Sequence, residues 1–180
     1  MGAAPKLESK DQPEFSAAAQ RLSTAIDLYY KSATRLELGH VPVSLDLIVL
    51  HQLPDVALFL KDEGPGDKNT GYKIFRGKGL YLSQVELDAL ASNGLAEIYV
   101  QRADVPVFTA YVETMARELV ATSPMADEQK VTLLRNSAIH VMRDIFETPT
   151  PENIERGVKV VSGFVYTLMR DPKAYQLLLS

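Results

Sequence analysis

The chain has 180 residues, 46% of them apolar and 23% charged, with a formal net charge of −4 and no cysteine. That length gives one domain or two small ones and lets about 70% of the unfolded surface be buried, so a real core is within reach. The acidic balance argues against nucleic acid as the main partner, the lack of cysteine excludes a disulfide framework or thiolate metal site, and no apolar run approaches the ~20 residues that span a bilayer.

The N-terminal stretch Met1-Gly2-Ala3-Ala4-Pro5-Lys6 lacks the apolar core of a signal peptide, and Lys6 stands where a myristoylation motif takes Ser or Thr. The sequence reads as a cytoplasmic chain. Residues 1–13 are polar, carry Pro5 and Pro13, and read as a disordered tail.

Residues 14–39 read as an N-terminal helix. Phe15, Ala18, Leu22, Ala25, Ile26, Tyr29 and Tyr30 recur at three- and four-residue spacing, and Gly39 is placed as a C-terminal stop. A coiled-coil seam between two copies is the open alternative.

Residues 40–102 change period and read as a small β-rich module. Val41, Val43, Leu45 and Leu47 alternate as in a half-buried strand. Further strands are expected at Val56–Leu60, Tyr72–Phe75 and Glu97–Val100, with Leu80–Leu82 continuing beyond a turn. Asp62–Asn69 and Arg76–Gly79 read as turns by composition. Ser83 caps a short helix bearing Val85, Leu87 and Leu90, and Glu86 completes a capping box.

Residues 103–180 read as a helical bundle. One helix runs from Val105 to Ala121 with the stripe Phe108, Tyr111, Val112, Met115 and Leu119. The next starts at Ser123-Pro124 and carries Val131, Leu134, Ala138, Val141, Met142, Ile145 and Phe146. The last starts after Thr150 with the stripe Ile154, Val158, Val161, Val165, Leu168 and Met169. Asp171-Pro172 ends it before the apolar run Tyr175–Leu179. Short connections predict antiparallel neighbours. The expected fold class is therefore α+β: an N-terminal helix, a small mostly antiparallel β module with one helix, and a C-terminal antiparallel bundle.

Candidate chemistry is sparse. His40, His51 and His140 lack a second ligand of the HExxH kind or an adjacent aspartate, and packing is the preferred reading of each. There is no Gly-x-Ser-x-Gly elbow, and Ser83 is explained as a cap. Gly64-Pro65-Gly66 and Gly77-Lys78-Gly79 fit neither a Walker loop nor a dinucleotide fingerprint and read as turns. The carboxylates Asp127/Glu128 and Glu152/Glu155 sit at helix starts, where the macrodipole favours them. No catalytic residue, resident metal or cofactor is expected. The one ligand-binding candidate is the basic cluster Lys73, Arg76 and Lys78, able to hold a phosphate or an acidic surface; a solvated hairpin tip is the preferred reading.

The segments Val41–Asp46, Tyr72–Gly79, Gly94–Val100, Phe146–Pro149, Pro151–Arg156 and Arg170–Ala174 occur in an order that resembles the N-terminal segment ahead of HD-GYP phosphohydrolase domains in bacterial signalling proteins. The resemblance covers Val41 to Ser180. It implies a catalytic domain that hydrolyses cyclic di-GMP at a centre of two or three metals held by His and Asp in the HD and GYP motifs. Neither motif occurs here: Gly71-Tyr72-Lys73 is not GYP, and no His-Asp dipeptide exists. The paired-arginine and Asp-x-Ser-x-x-Gly signatures of PilZ receptors are also absent. The resemblance thus implies a non-catalytic regulatory, sensory and dimerising region, with an HD-GYP domain in cis beyond Ser180. Its other expected partners are a second copy and a protein or small-molecule signal. A stand-alone interaction module is the alternative, and a cryptic hydrolase ranks last.

Overall fold

The computed structural model describes residues 12–35, 38–62, 71–123, 126–147 and 149–170. The expected tail at 1–13 (apart from its last two residues), the turn after Asp62 and the apolar run Tyr175–Leu179 lie outside them, as do the side chains of Phe15, Asp127, Glu128, Leu168 and Met169.

The first helix, α1 (Gln12–Ala33), buries Ala25, Ile26, Tyr29 and Tyr30 as its periodicity requires. It ends at Ala33, earlier than Gly39. The Arg102 guanidinium donates to the carbonyls of Ala33 and Arg35, meeting the negative end of the helix dipole. Gly39 instead leads into the sheet, its carbonyl accepting from the Arg102 amide at 2.9 Å.

Four strands follow: β1 (His40–Ser44), β2 (Leu58–Asp62), β3 (Gly71–Arg76) and β4 (Glu97–Gln101). They form one antiparallel sheet in the order β1-β4-β2-β3. The register sets Val41 opposite Val100 and Val43 opposite Ile98, so strand alternation turns these four inward, where they are fully buried. Two extended segments expected from alternation are not strands. Leu45–Leu47 is a 3-10 turn, started by Ser44, whose Oγ accepts from the Asp46 amide. Leu80 and Tyr81 are exposed loop residues beyond the Gly79 turn, where φ is +73°.

The short helix α2 (Gln84–Ser92) has the expected capping box. Ser83 Oγ accepts from the Glu86 amide and Glu86 Oε2 accepts from the Ser83 amide. Leu87 and Leu90 are buried, whereas Val85 is exposed.

Three longer helices complete the chain: α3 (Val105–Thr122), α4 (Asp127–Glu147) and α5 (Pro151–Arg170). Thr150 caps α5 by accepting from the Asn153 amide. All five residues of the α3 stripe are buried. One continuous core joins α1, the inner face of the sheet, α3 and Leu133 and Leu134 of α4. Val160 of α5 is buried but lies outside that core.

The apolar stripe of α5 is not its packing side. Ile154, Val158, Val161 and Val165 are 48–61% exposed, and Gly157 and Val160 face inward instead. The reason is close approach. A Cβ at Gly157 would lie 2.6 Å from Ile145 Cδ1, so the missing side chain lets α5 settle against α4 along that line. Met142 and Phe146 of α4 are likewise exposed, while Val131, Leu134 and Val141 are buried.

Candidate functional site

The polar centre of the molecule lies where α3, α4 and α5 meet. Glu113 on α3 points into the junction and its side chain is 5% exposed. Arg156 on α5 reaches it with two N–H···O bonds, Nε to Oε2 at 3.1 Å and Nη2 to Oε1 at 2.5 Å. Nη2 also donates to Asp144 Oδ2 on α4 at 3.0 Å, and Nη1 donates to Asn153 Oδ1 at 2.8 Å. One planar cation thus ties three helices together, a use that suits the fork of a guanidinium.

Burial alone would lower the Arg156 pKa. The bonds and charge of Glu113, then of Asp144, outweigh it and hold the group above its ordinary value. Burial would raise the Asp144 carboxyl, but His140 and then Arg156 hold it below its ordinary value. His140 Nδ1 stands 3.5 Å from Asp144 Oδ2, too far for a good hydrogen bond. That nitrogen is buried and has no hydrogen-bond partner among the described residues. The ring itself packs on Tyr30, with centroids 4.8 Å apart, and the Tyr30 hydroxyl donates to Ser137 Oγ.

Cavities flank His140 on both sides. One, of about 280 Å³, is lined by Arg102, Thr109, Asp144, Asn153 and Arg156 among others. The other, of about 210 Å³, lies between α1 and α4 beside Tyr30, Asn136 and Arg143. Both fall below the ~300–1,000 Å³ of ordinary drug-sized ligand pockets, which suits a small polar molecule and not a dinucleotide. The cluster does not fit a metal ion. Glu113 and Asp144 both already bond to the fixed Arg156 guanidinium, whose charge would repel a second cation. Among the described residues no group of three or more acidic or His side chains is arranged to hold one.

The basic cluster singled out in the sequence is divided. Lys78 Nζ bonds to the buried Asp104 Oδ1 at 2.5 Å, across from the turn to the start of α3. Arg76 donates to the carbonyls of Leu80 and Val56. Lys73 is exposed; it pairs with Leu60 and Arg76 with Leu58, so the register shift at Phe75 leaves both on one face of β3. His51 is exposed. His40 stacks on Tyr72 at 4.1 Å beside Phe59 on the outer side of the sheet, and burial lowers its pKa.

Sequence reasoning missed Glu113, Asp144 and Arg156. One signal was present: Asp144 follows His140 by four residues, which places them on one helix face. Another was Glu113 between Thr109 and Ala116, in line with the buried edge of α3. Nothing in the sequence paired either with Arg156.

No protein-family model and no curated protein matches this chain. A solved structure similar to it is Bd1817, an HDG"Y"P protein from Bdellovibrio bacteriovorus, at 14% identity and a TM-score of 0.38. The match covers 78% of this chain and 44% of that one, so the chain spans less than half of that protein's length. Among the described residues no helix is long and apolar enough to cross a membrane.

Proposed function

We propose that the chain is a non-catalytic regulatory and dimerising region of an HD-GYP-type cyclic di-GMP phosphodiesterase, with the catalytic domain in cis. In this reading residues 40–102 form a β-rich module that receives a protein or small-molecule signal. Residues 103–180 relay it. The family connection is supported by the order of segments from Val41 to Ser180.

The observation that carries the regulatory reading is how α5 is held. Its buried attachment to α3 is the Glu113–Arg156 pair, set beside a cavity and outside the main core. That contact between α5 and α3, polar and solvent-adjacent, can exchange between two packed arrangements more readily than one sealed by apolar packing.

The test compares the full-length protein with an Arg156→Met variant. Cyclic di-GMP hydrolysis is expected to change severalfold at unchanged metal content, and the 180-residue chain alone is expected to show none. Turnover by the chain alone would refute the non-catalytic reading. A downstream reading frame without His-Asp and Gly-Tyr-Pro motifs would refute the catalytic domain in cis. Exposed apolar side chains on α4 and α5 favour a second reading, a stand-alone interaction module. That reading gains if no such frame follows.

A further inference from the structure

The helices α4 and α5 form a hairpin across the short link 148–150, and each carries an exposed apolar line that it does not use for packing among the described residues. On α5, Ile154 and Val161 are seven residues apart, as are Val158 and Val165, and their exposures are 52%, 55%, 61% and 48%. On α4, Ile139 and Phe146 are seven apart with Met142 between them, at 55%, 78% and 45%. Alternating steps of three and four residues are the seam spacing of a coiled coil, narrower than the stripe a helix buries in a globular core.

Both lines lie on one side of the hairpin. Around α4 the order runs from the side facing α1 and α3, through Val141 and Ile145 at Gly157, to Met142 and Phe146 about 100° further on. Around α5 it runs from Arg156, held by Glu113 of α3, through Gly157 to Val161 and Val158. Antiparallel helices turn these two orders in opposite senses about a common view. Both apolar lines therefore face away from α3.

We infer that this face is the seam of a symmetric homodimer, in which two α4–α5 hairpins close a four-helix bundle. Met142, Phe146, Ile154, Val158, Val161 and Val165 together expose about 600 Å² of side chain, at the upper limit of patches on ordinary monomers and close to the ~800 Å² that each partner buries in a stable interface. A twofold interface needs a surface that complements itself. Two seams of the same spacing, with no charged side chain among these six, meet that need. The inference rests on the dimerising part of the proposed function and is independent of the phosphodiesterase connection.

The experiment uses the full 180-residue chain, with mass measured by light scattering after gel filtration. A dimer is expected at micromolar concentration. Val158→Glu, an exposed position, is expected to weaken it roughly a hundredfold with an unchanged circular dichroism spectrum, because the seam would bury unpaired charges. The chain has no cysteine, so single cysteines report contacts directly. At least one of Val158→Cys, Val161→Cys and Val165→Cys should form a disulfide-linked dimer, and the exposed control Ser92→Cys on α2 should not. A monomeric wild-type chain, a dimer untouched by Val158→Glu, or crosslinking no better than the Ser92→Cys control would each overturn the inference. None of these results bears on hydrolysis by the full-length protein, so the two readings fail separately.

Discussion

Glu113 and Arg156 lie 43 residues apart in sequence and meet through two N–H···O bonds inside the protein. The pair joins α3 to α5, with 5% of the Glu113 side chain and 17% of the Arg156 side chain exposed. Breaking such a pair from one side strands a buried charge. Glu113→Ala is therefore expected to cost about 3 kcal/mol, and Arg156→Met a comparable amount. The double variant should recover part of the loss, because no charge of the pair is then left alone. Urea unfolding followed by circular dichroism measures all four corners of the cycle. Additive losses would mean that the two side chains do not stabilise each other.

Asp144 makes a prediction in pH. Its carboxyl is held below its ordinary value of 3.8 by His140 and Arg156, which together outweigh burial. The unfolded chain binds a proton at this site at higher pH than the folded one. The site therefore contributes stability that is fully present above the unfolded value and is lost as pH falls through the folded value, below 3.8. Stability measured from neutrality down to acid should show a steeper loss in wild type than in Asp144→Asn over that window. Above it the two curves should run parallel, with Asp144→Asn lower. Equal acid slopes would remove Asp144 from the acid response.

The glycines of α5 make a paired prediction. A methyl at Gly157 would meet Ile145 Cδ1 at 2.6 Å, whereas at Gly163 it would meet nothing within 4 Å. Both substitutions gain the same helix propensity, on the order of 1 kcal/mol. That gain cancels in the comparison. Overpacking remains at Gly157 alone, softened by the free end of the Ile145 side chain. Gly157→Ala should therefore be less stable than Gly163→Ala by roughly 1–2 kcal/mol. Equal stabilities in denaturant would mean that α5 does not approach α4 so closely.

What could be read from the sequence, and what could not, divides along physical lines. Local rules were enough for the Ser83 capping box, the Thr150 cap, the α3 stripe and the strands at Val41, Tyr72 and Ile98, because each depends on residues a few positions apart. Helix ends set from a distance were not legible. α1 ends at Ala33, whose carbonyl is taken by Arg102, 69 residues away. The packing side of α5 was misjudged for a related reason. Apolar periodicity marks a face that prefers to be covered, and Gly157 marks where a neighbour can come close; here the two differ. The polar junction needed Glu113, Asp144 and Arg156 to meet from three helices, and only the His140–Asp144 spacing lay within one element. Lys78 showed the opposite effect. The sequence places it in a basic turn, either a solvated tip or an anion site, and the fold sets it against Asp104.

Tyr111 gives a prediction that concerns the link between the sheet and α3. Its hydroxyl donates to the Leu47 carbonyl at 2.7 Å and accepts from the Val49 amide at 3.0 Å. Burial, more than any neighbour, raises its pKa, as expected of a phenol held neutral inside the protein. The turn at Leu45–Leu47 and the segment after it have no strand to pair their backbone groups, so this hydroxyl satisfies two of them. Tyr111→Phe keeps the ring on Phe108 and removes only the oxygen. The cost is expected at about 2 kcal/mol, the range for buried polar groups left without a partner. Hydrogen exchange localises it: the Val49 amide should lose protection by more than the amides in the middle of α3. A uniform change across the chain would instead assign the loss to the core as a whole.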